Sequence, residues 1–266
     1  MKRSIYIIML LLAICSTALG QKTTAKRKVA DKVTNGHEYV DLGLSVMWAT
    51  RNIGATSPTD NGKFYAWGEI KSKSDFSISN YKFFLQTENE KIAGTYIDGK
   101  FKRGYTKYVS DIQAKKNGYD EFYDNKRLLD YEDDAARVLW GGKWRIPTMA
   151  EVNELCTKCT WEWTKVNGKA VYKVTGPNGK YIYMPAAGAR FRMKICYAGE
   201  VGFYWTATVY SGPKANGAYI LRFTKNTHGI TDNETRYDGR TIRPVIKRNF
   251  VKPKKTVTKV AAKTKK

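Results

Sequence analysis

The stretch "LWGGKWRIPTMAEVNEL", Leu139 to Leu155, decides how the middle of the chain is read. Gly141-Gly142 stop one helix, and Trp144-Arg145-Ile146 form a short extended piece leading into Pro147. Thr148 is a good N-cap, and Glu151 three residues later completes a capping box, each side chain satisfying the other residue's free backbone N–H. Met149, Val152 and Leu155 or Cys156 then follow at helical spacing. These residues stop one helix, turn, and start another, so the stretch is scaffold.

Upstream, "LLDYEDDAARVLWGG" predicts a helix in which Leu128, Ala135, Val138 and Leu139 share a face. Its acids Glu132, Asp133 and Asp134 crowd the first turn, where the macrodipole favours them. A calcium site on those acids has no loop signature behind it. Residues 70–125 are polar, tyrosine-rich and without a clear period, and read as a long surface excursion with scattered short elements. From Tyr39, "YVDLGLSVMWATRNIGA" alternates as a half-buried strand, broken in two by Gly43. "SPTDNGKFYAWGE" adds a turn and a short aromatic strand ending near Trp67. Downstream of the capping box, two or three strands are joined by Asn-Gly turns at Asn167 and at Asn178. Strands around Tyr204–Thr208, Ala218–Phe223 and Thr241–Ile246 are separated by polar loops rich in Gly and Asn.

The chain's ends carry most of its charge. "MKRSIYIIMLLLAICSTALGQ" has a basic start, an apolar run too short to span a bilayer, and a small-residue exit. It reads as a secretory signal peptide over 1–20, cleaved after Gly20. Ile14 stands where a lipobox before Cys15 wants a small residue, which argues against lipidation. The net charge is +23, of which the signal peptide holds +2, a basic lead over 21–37 +4, and the tail 247–266 +9. That leaves +8 on a folded domain over 38–246. The tail has no apolar period and reads as disordered, with Lys252, Lys254, Lys255 and Lys259 able to meet polyanions through counterion release. Secretion argues against nucleic acid as its partner. No later stretch is long and apolar enough for a transmembrane helix.

Three cysteines follow the signal peptide. Cys156 and Cys159 have CxxC spacing but make only half of a closed zinc site, with Cys196, His37 and His228 the sole further candidates. The pair ends a helix, whereas a redox motif begins one. An oxidising compartment implies one disulfide with one cysteine left over, its pairing open among the three.

Several motifs occur together in order: "YVDLGLSVMWATRNIGA", "FYAWGE", "DDAARVLWGGKWRIPTMAEVNEL", "CTWEW", "PAAGAR", "GFYWTAT" and "GRTIRPV". From about Tyr39 to Val245 this order resembles the Fibrobacter succinogenes major paralogous domain family, common in secreted and surface proteins of Bacteroidetes. The resemblance implies an α+β fold of the C-type-lectin-like kind: two helices beside a small twisted antiparallel sheet, with long surface loops. It also implies that Trp48, Trp67, Trp140, Trp144 and Trp205 lie in or near the core.

Formylglycine-generating relatives of that superfold use a late cysteine pair with copper, and residues 199–245 contain no cysteine. His37 falls in the exposed-looking lead, and no nucleophile elbow is present. The Glu-Pro-Asn or Gln-Pro-Asp triplet of calcium lectins is also absent. The expectation is a non-enzymatic, metal-independent and cofactor-free binder of a glycan or an envelope or host protein. Its ligand surface is expected in the loops before the last strands, on Tyr204, Tyr210, Asn216, Tyr219, Asn226, His228, Asp232, Asn233, Arg236 and Tyr237, with Tyr197 and Phe203 nearby. Flat aromatics beside Asn, Asp and Arg suit a sugar face or a protein epitope. The alternative is a structural envelope or assembly component attached to polyanions by its tail.

Overall fold

The computed structural model describes residues 32–84, 95–97, 100–102, 104–117, 123–212 and 217–248. The signal peptide, most of the basic lead, Asn216 and the tail lysines lie outside them. Within them, fourteen strands pair into five separate antiparallel sheets. Helix is confined to Asp111–Asn117 (α1), Ala135–Trp140 (α2) and Met149–Lys158 (α3), with two single 3-10 turns. The expected α+β, C-type-lectin-like arrangement of two helices beside one small sheet is therefore overturned, because paired strands predominate.

Two local causes account for the difference. The helix expected from Leu128 begins only at Ala135. Asp134 caps it there, its carboxylate accepting from the N–H groups of Ala136 (2.9 Å) and Arg137 (3.1 Å). The same carboxylate accepts from the N–H of Ile146 at 2.9 Å, tying the helix start to the turn that follows the helix. Leu128 is instead extended and bridged to Thr208. Second, the polar stretch read as loop after Phe223 is a full strand.

The first sheet runs β1 (Lys32–Thr34), β2 (His37–Val40), β3 (Val46–Ala49) and β14 (Val245–Lys247), so both ends of the described chain join one sheet, at its opposite edges. It starts at Lys32, ahead of the boundary expected at 38. The break between β2 and β3 falls at Gly43 as expected, with a φ of 82° open to glycine. The short strand expected before Trp67 is reduced to a bridge between Tyr65 and Arg240. β6 (Thr160–Val166), β7 (Lys169–Thr175) and β8 (Tyr181–Pro185) form a meander. Asn167 (φ 50°) and Gly168 (φ 77°) make its first turn, the left-handed pair that a two-residue hairpin requires. The third sheet is β11 (Gly202–Val209), β12 (Gly217–Phe223) and β13 (His228–Thr235). Two hairpins complete the set: β4 (Thr95–Ile97) with β5 (Lys100–Lys102), and β9 (Ala189–Phe191) with β10 (Lys194–Cys196).

All five tryptophans expected inside are buried. Two of their indole donors reach distant carbonyls: Trp67 Nε1 that of Thr206 at 2.8 Å, and Trp205 Nε1 that of Tyr65 at 2.7 Å. The excursion over 70–125 is not a surface feature throughout. Tyr81, Phe83, Tyr105 and Tyr108 are buried and stack edge-on, with Trp67 against Tyr108 at 4.9 Å. Tyrosines placed inside with their hydroxyls bonded, as Tyr81 is to the Trp67 carbonyl at 2.7 Å, do the work that aliphatic side chains do elsewhere.

The capping box forms as read. Thr148 Oγ1 accepts from Glu151 N–H (3.3 Å), and Glu151 Oε2 accepts from Thr148 N–H (2.8 Å). Arg145 Nη1 also reaches Glu151 Oε2 at 2.7 Å. Thr148→Ala is expected to lower stability by about 1 kcal/mol. Urea unfolding measures this, and Thr148→Ser should recover most of the loss.

Candidate functional site

The chain from Arg236 to Arg243 links the third sheet to the first, and three buried arginines pin it down. Arg236 lies 3.7 Å from the centre of the Tyr105 ring and donates to the carbonyls of Lys107 (3.0 Å) and Tyr108 (3.4 Å). Arg240 packs 4.7 Å from the Trp205 ring, forms an ion pair with Glu234, and places Nη1 3.5 Å from Asp238 Oδ2. Arg243 donates to Asn52 Oδ1 (2.8 Å) and to the carbonyls of Ala49 (3.1 Å) and Thr50 (3.3 Å). Backbone bonds reinforce them, with Gly239 and Arg190 exchanging two, of 2.7 and 2.8 Å. Gly239 permits that approach, since a Cβ there would stand 2.8 Å from both the Phe76 ring and Arg190 Cβ.

This rigid ladder holds Tyr237 and Asp238 on one wall of a cleft of about 550 Å³. The β9–β10 turn supplies Phe191, Arg192 and Met193, and the segment 75–79 closes the other side with Asp75 and Ser77. Phe76 N–H donates to the Arg192 carbonyl at 3.2 Å, stitching two of the walls together. Asp238 is only 7% exposed yet lines the cleft. Burial pushes its carboxyl up, against the opposing pull of the Thr235 hydroxyl and Arg240. Tyr237 is half-buried. Burial raises its phenol, with the Asp238 charge adding to this and Arg192 opposing it. The cleft thus offers an aromatic ring, a guanidinium, hydroxyls and two carboxylates around a volume in the ordinary range for small-molecule sites, about 300–1,000 Å³.

The expected site residues do not form one surface. Tyr237 is in the cleft. Tyr204 and Arg236 are buried, 2% and 1% exposed, and are corrected to core residues. The Tyr204 hydroxyl donates to the Pro185 carbonyl at 2.7 Å and accepts from Asn52 at 3.3 Å. Phe203 is buried as well. Tyr210 and Tyr219 meet edge-on at 5.6 Å, and the Asp232 charge reaches the Tyr219 phenol, making a second, smaller grouping on the third sheet. Asn226 and His228 belong to the far end of the β12–β13 hairpin, a strand length of roughly 20 Å away. His228 there stacks on Trp161 at 4.5 Å. Asn233 lies in β13, and Asn216 is outside the described residues.

The acids weighed for calcium are engaged otherwise. Asp134 caps α2, while the Lys107 ammonium sits 2.6 Å from both Asp130 and Asp133 and 3.1 Å from Glu132. Asp133 is buried and also bonds Lys82 (2.5 Å) and the Tyr108 hydroxyl (2.5 Å). His37 is not in an exposed lead: it is the first residue of β2 and stacks on Trp140 at 3.8 Å. Cys156, Cys159 and Cys196 are free thiols. Burial pushes Cys156 up to about 12 and Cys159 up to about 11, so both are protonated at neutral pH, unlike reactive thiols. Among the described residues no helix is long and apolar enough to cross a membrane.

What sequence reasoning missed is Asp238, Phe191, Arg192 and the 75–79 wall. The spacing Arg236, Arg240, Arg243 around Tyr-Asp-Gly was the signal available for the first. In comparison with known proteins, the chain matches no protein-family model, no curated protein and no solved structure.

Proposed function

We propose that the chain is a secreted or surface-associated, non-catalytic recognition domain that binds a glycan in the cleft between the β9–β10 turn and the chain before β14. The motif order that resembles the Fibrobacter succinogenes major paralogous domain family supports the secreted setting, without the fold that the resemblance implied. The observation that carries the reading is the pairing of half-buried Tyr237 with the nearly buried Asp238 carboxylate in one cleft. A sugar ring presents an apolar face for stacking and hydroxyl donors at its edge, and those are the two kinds of contact this wall offers. Thr235 and Arg240 both engage Oδ2 of Asp238, so Oδ1 is the acceptor proposed for the sugar hydroxyls.

The test is a glycan panel probed with the full mature chain, followed by calorimetry on any hit. Tyr237→Ala is expected to weaken binding at least tenfold and to lower the melting temperature modestly, since the half-buried ring also packs against the core. Tyr237→Phe, which keeps the ring, should hold both the fold and the stacking contact. Asp238→Asn should weaken binding further for ligands that donate to the carboxylate. Binding untouched by Tyr237→Ala and by Asp238→Asn removes the cleft from the function. Binding moved instead by Tyr210→Ala or Tyr219→Ala transfers it to the third sheet.

A further inference from the structure

The β9–β10 hairpin forms part of the cleft's wall, and large apolar side chains on it are exposed. Met193 is 73% exposed, the highest value among the large apolar residues described, and Ile195 is 48% exposed. Met193 stands in the two-residue turn between β9 and β10, and Ile195 is the middle residue of β10, two positions on. Tyr197, 55% exposed, follows them, held by ring contacts to Phe191 and Phe203 at 6.4 and 6.3 Å. Arg192 and Tyr197 both adopt positive φ, 52° and 60°, which bends the chain sharply on either side of β10. The decapeptide 189–198, "ARFRMKICYA", contains three cations and no acid. Arg190 is occupied with the Ser74 carbonyl at 3.3 Å, while Arg192 and Lys194 are exposed.

Exposed apolar side chains at a two-residue turn, flanked by cations and followed by a tyrosine, match the layered chemistry of a lipid interface. The acyl boundary takes Met and Ile, the headgroup phosphates take Lys and Arg, and an amphipathic ring prefers the level between. A soluble partner protein would explain the apolar residues equally well, but three cations and no acid within residues 189–198 favour an extended anionic surface. We propose that the β9–β10 hairpin docks this protein on anionic lipid bilayers, Met193 and Ile195 entering the interface and Arg192 and Lys194 meeting lipid phosphates. The inference does not depend on what the cleft binds. It would place the cleft mouth against the membrane, because Arg192 and Met193 line both.

The experiment is vesicle flotation of the full mature chain on phosphatidylcholine with and without phosphatidylglycerol. It is run at roughly 0.15 M and roughly 0.5 M salt, between which the screening length falls from about 8 Å to about 4 Å. The wild-type chain is expected to float with the anionic vesicles and to retain part of that binding at the higher salt. Met193→Asp with Ile195→Asp should reduce high-salt binding at least tenfold, since each loses an inserted apolar side chain and gains a repelled charge. Arg192→Ala with Lys194→Ala should cost roughly fivefold per cation at the lower salt. All four positions are exposed, so an unchanged melting temperature is required of both variants. A tail variant, with Lys252, Lys254, Lys255 and Lys259 changed to Ala, separates the sources of attraction. Binding abolished by the tail variant and unmoved by the hairpin variants overturns the proposal and assigns attachment to the tail. Absence of wild-type binding to anionic vesicles at either salt overturns it too.

Discussion

Arg243→Ala is expected to destabilise the protein by roughly 3–5 kcal/mol, enough to unfold a chain of ordinary marginal stability near body temperature. The guanidinium is fully buried, and its bonds go to two backbone carbonyls and the Asn52 amide oxygen. Burial lowers it to about 10, with the neighbouring Tyr204 phenol opposing this, so it remains protonated at neutral pH. Truncation to alanine strands three acceptors away from water and leaves a cavity on top of that. Arg243→Met separates the two costs, because it fills most of the volume without a donor or a buried charge. Thermal and urea unfolding should rank wild type above Met and Met above Ala. A loss below about 1 kcal/mol for the alanine variant would mean that water replaces the guanidinium, and that the last segment does not depend on it.

Asp133→Ala should cost a similar amount, roughly 3–5 kcal/mol, for a different reason. Here the buried carboxylate is the hub, and its removal leaves Lys107, Lys82 and the Tyr108 hydroxyl without their common acceptor. Burial pushes the Asp133 carboxyl up, but bonds from Lys107, Lys82 and Tyr108 outweigh it and hold the group below the usual carboxylate range. The sign follows from linkage. A carboxyl that is harder to protonate in the folded state adds stability above its unfolded value of about 3.9, and that stability is lost as pH falls through the lower folded value. Asp130 shifts the same way, through its bonds to Lys107 and then Lys126. Melting curves from neutrality down to about pH 2 should therefore show a steep acid limb that Asp133→Asn flattens. An acid limb of equal steepness in the variant would place the sensitivity elsewhere, with Glu151 beside Arg145 the next group to examine.

The local devices were legible, and the long-range ones were not. Thr148 and Glu151 satisfy each other within one helical turn, so their spacing carries the whole argument. The Asn167-Gly168 turn is equally self-contained. The strand β13 was hidden because its polar residues, among them His228, Asp232 and Asn233, read as loop chemistry. Pairing with β12 supplies what intrinsic propensity withholds. The helix before Trp140 was overextended because an acid run suits a first helical turn wherever it starts. Only the Asp134 bonds to Ala136, Arg137 and Ile146 show where it does start. The five buried tryptophans were expected from the family resemblance, whereas the excursion's buried tyrosines were not foreseen, since tyrosine suits surface and core alike.

By itself the sequence determined the capping box and the Asn167-Gly168 hairpin turn, both set by side-chain and backbone chemistry acting over a few residues. The tertiary structure alone decided that Arg236, Arg240 and Arg243 turn inward, that Tyr204 is core, and that Tyr237 and Asp238 face a cleft. A charged or phenolic side chain goes inside only where acceptors and rings from distant segments surround it. For Arg243 those acceptors come from Ala49, Thr50 and Asn52, nearly two hundred positions earlier in the chain. That environment is a property of the packed molecule, and no window of sequence contains it.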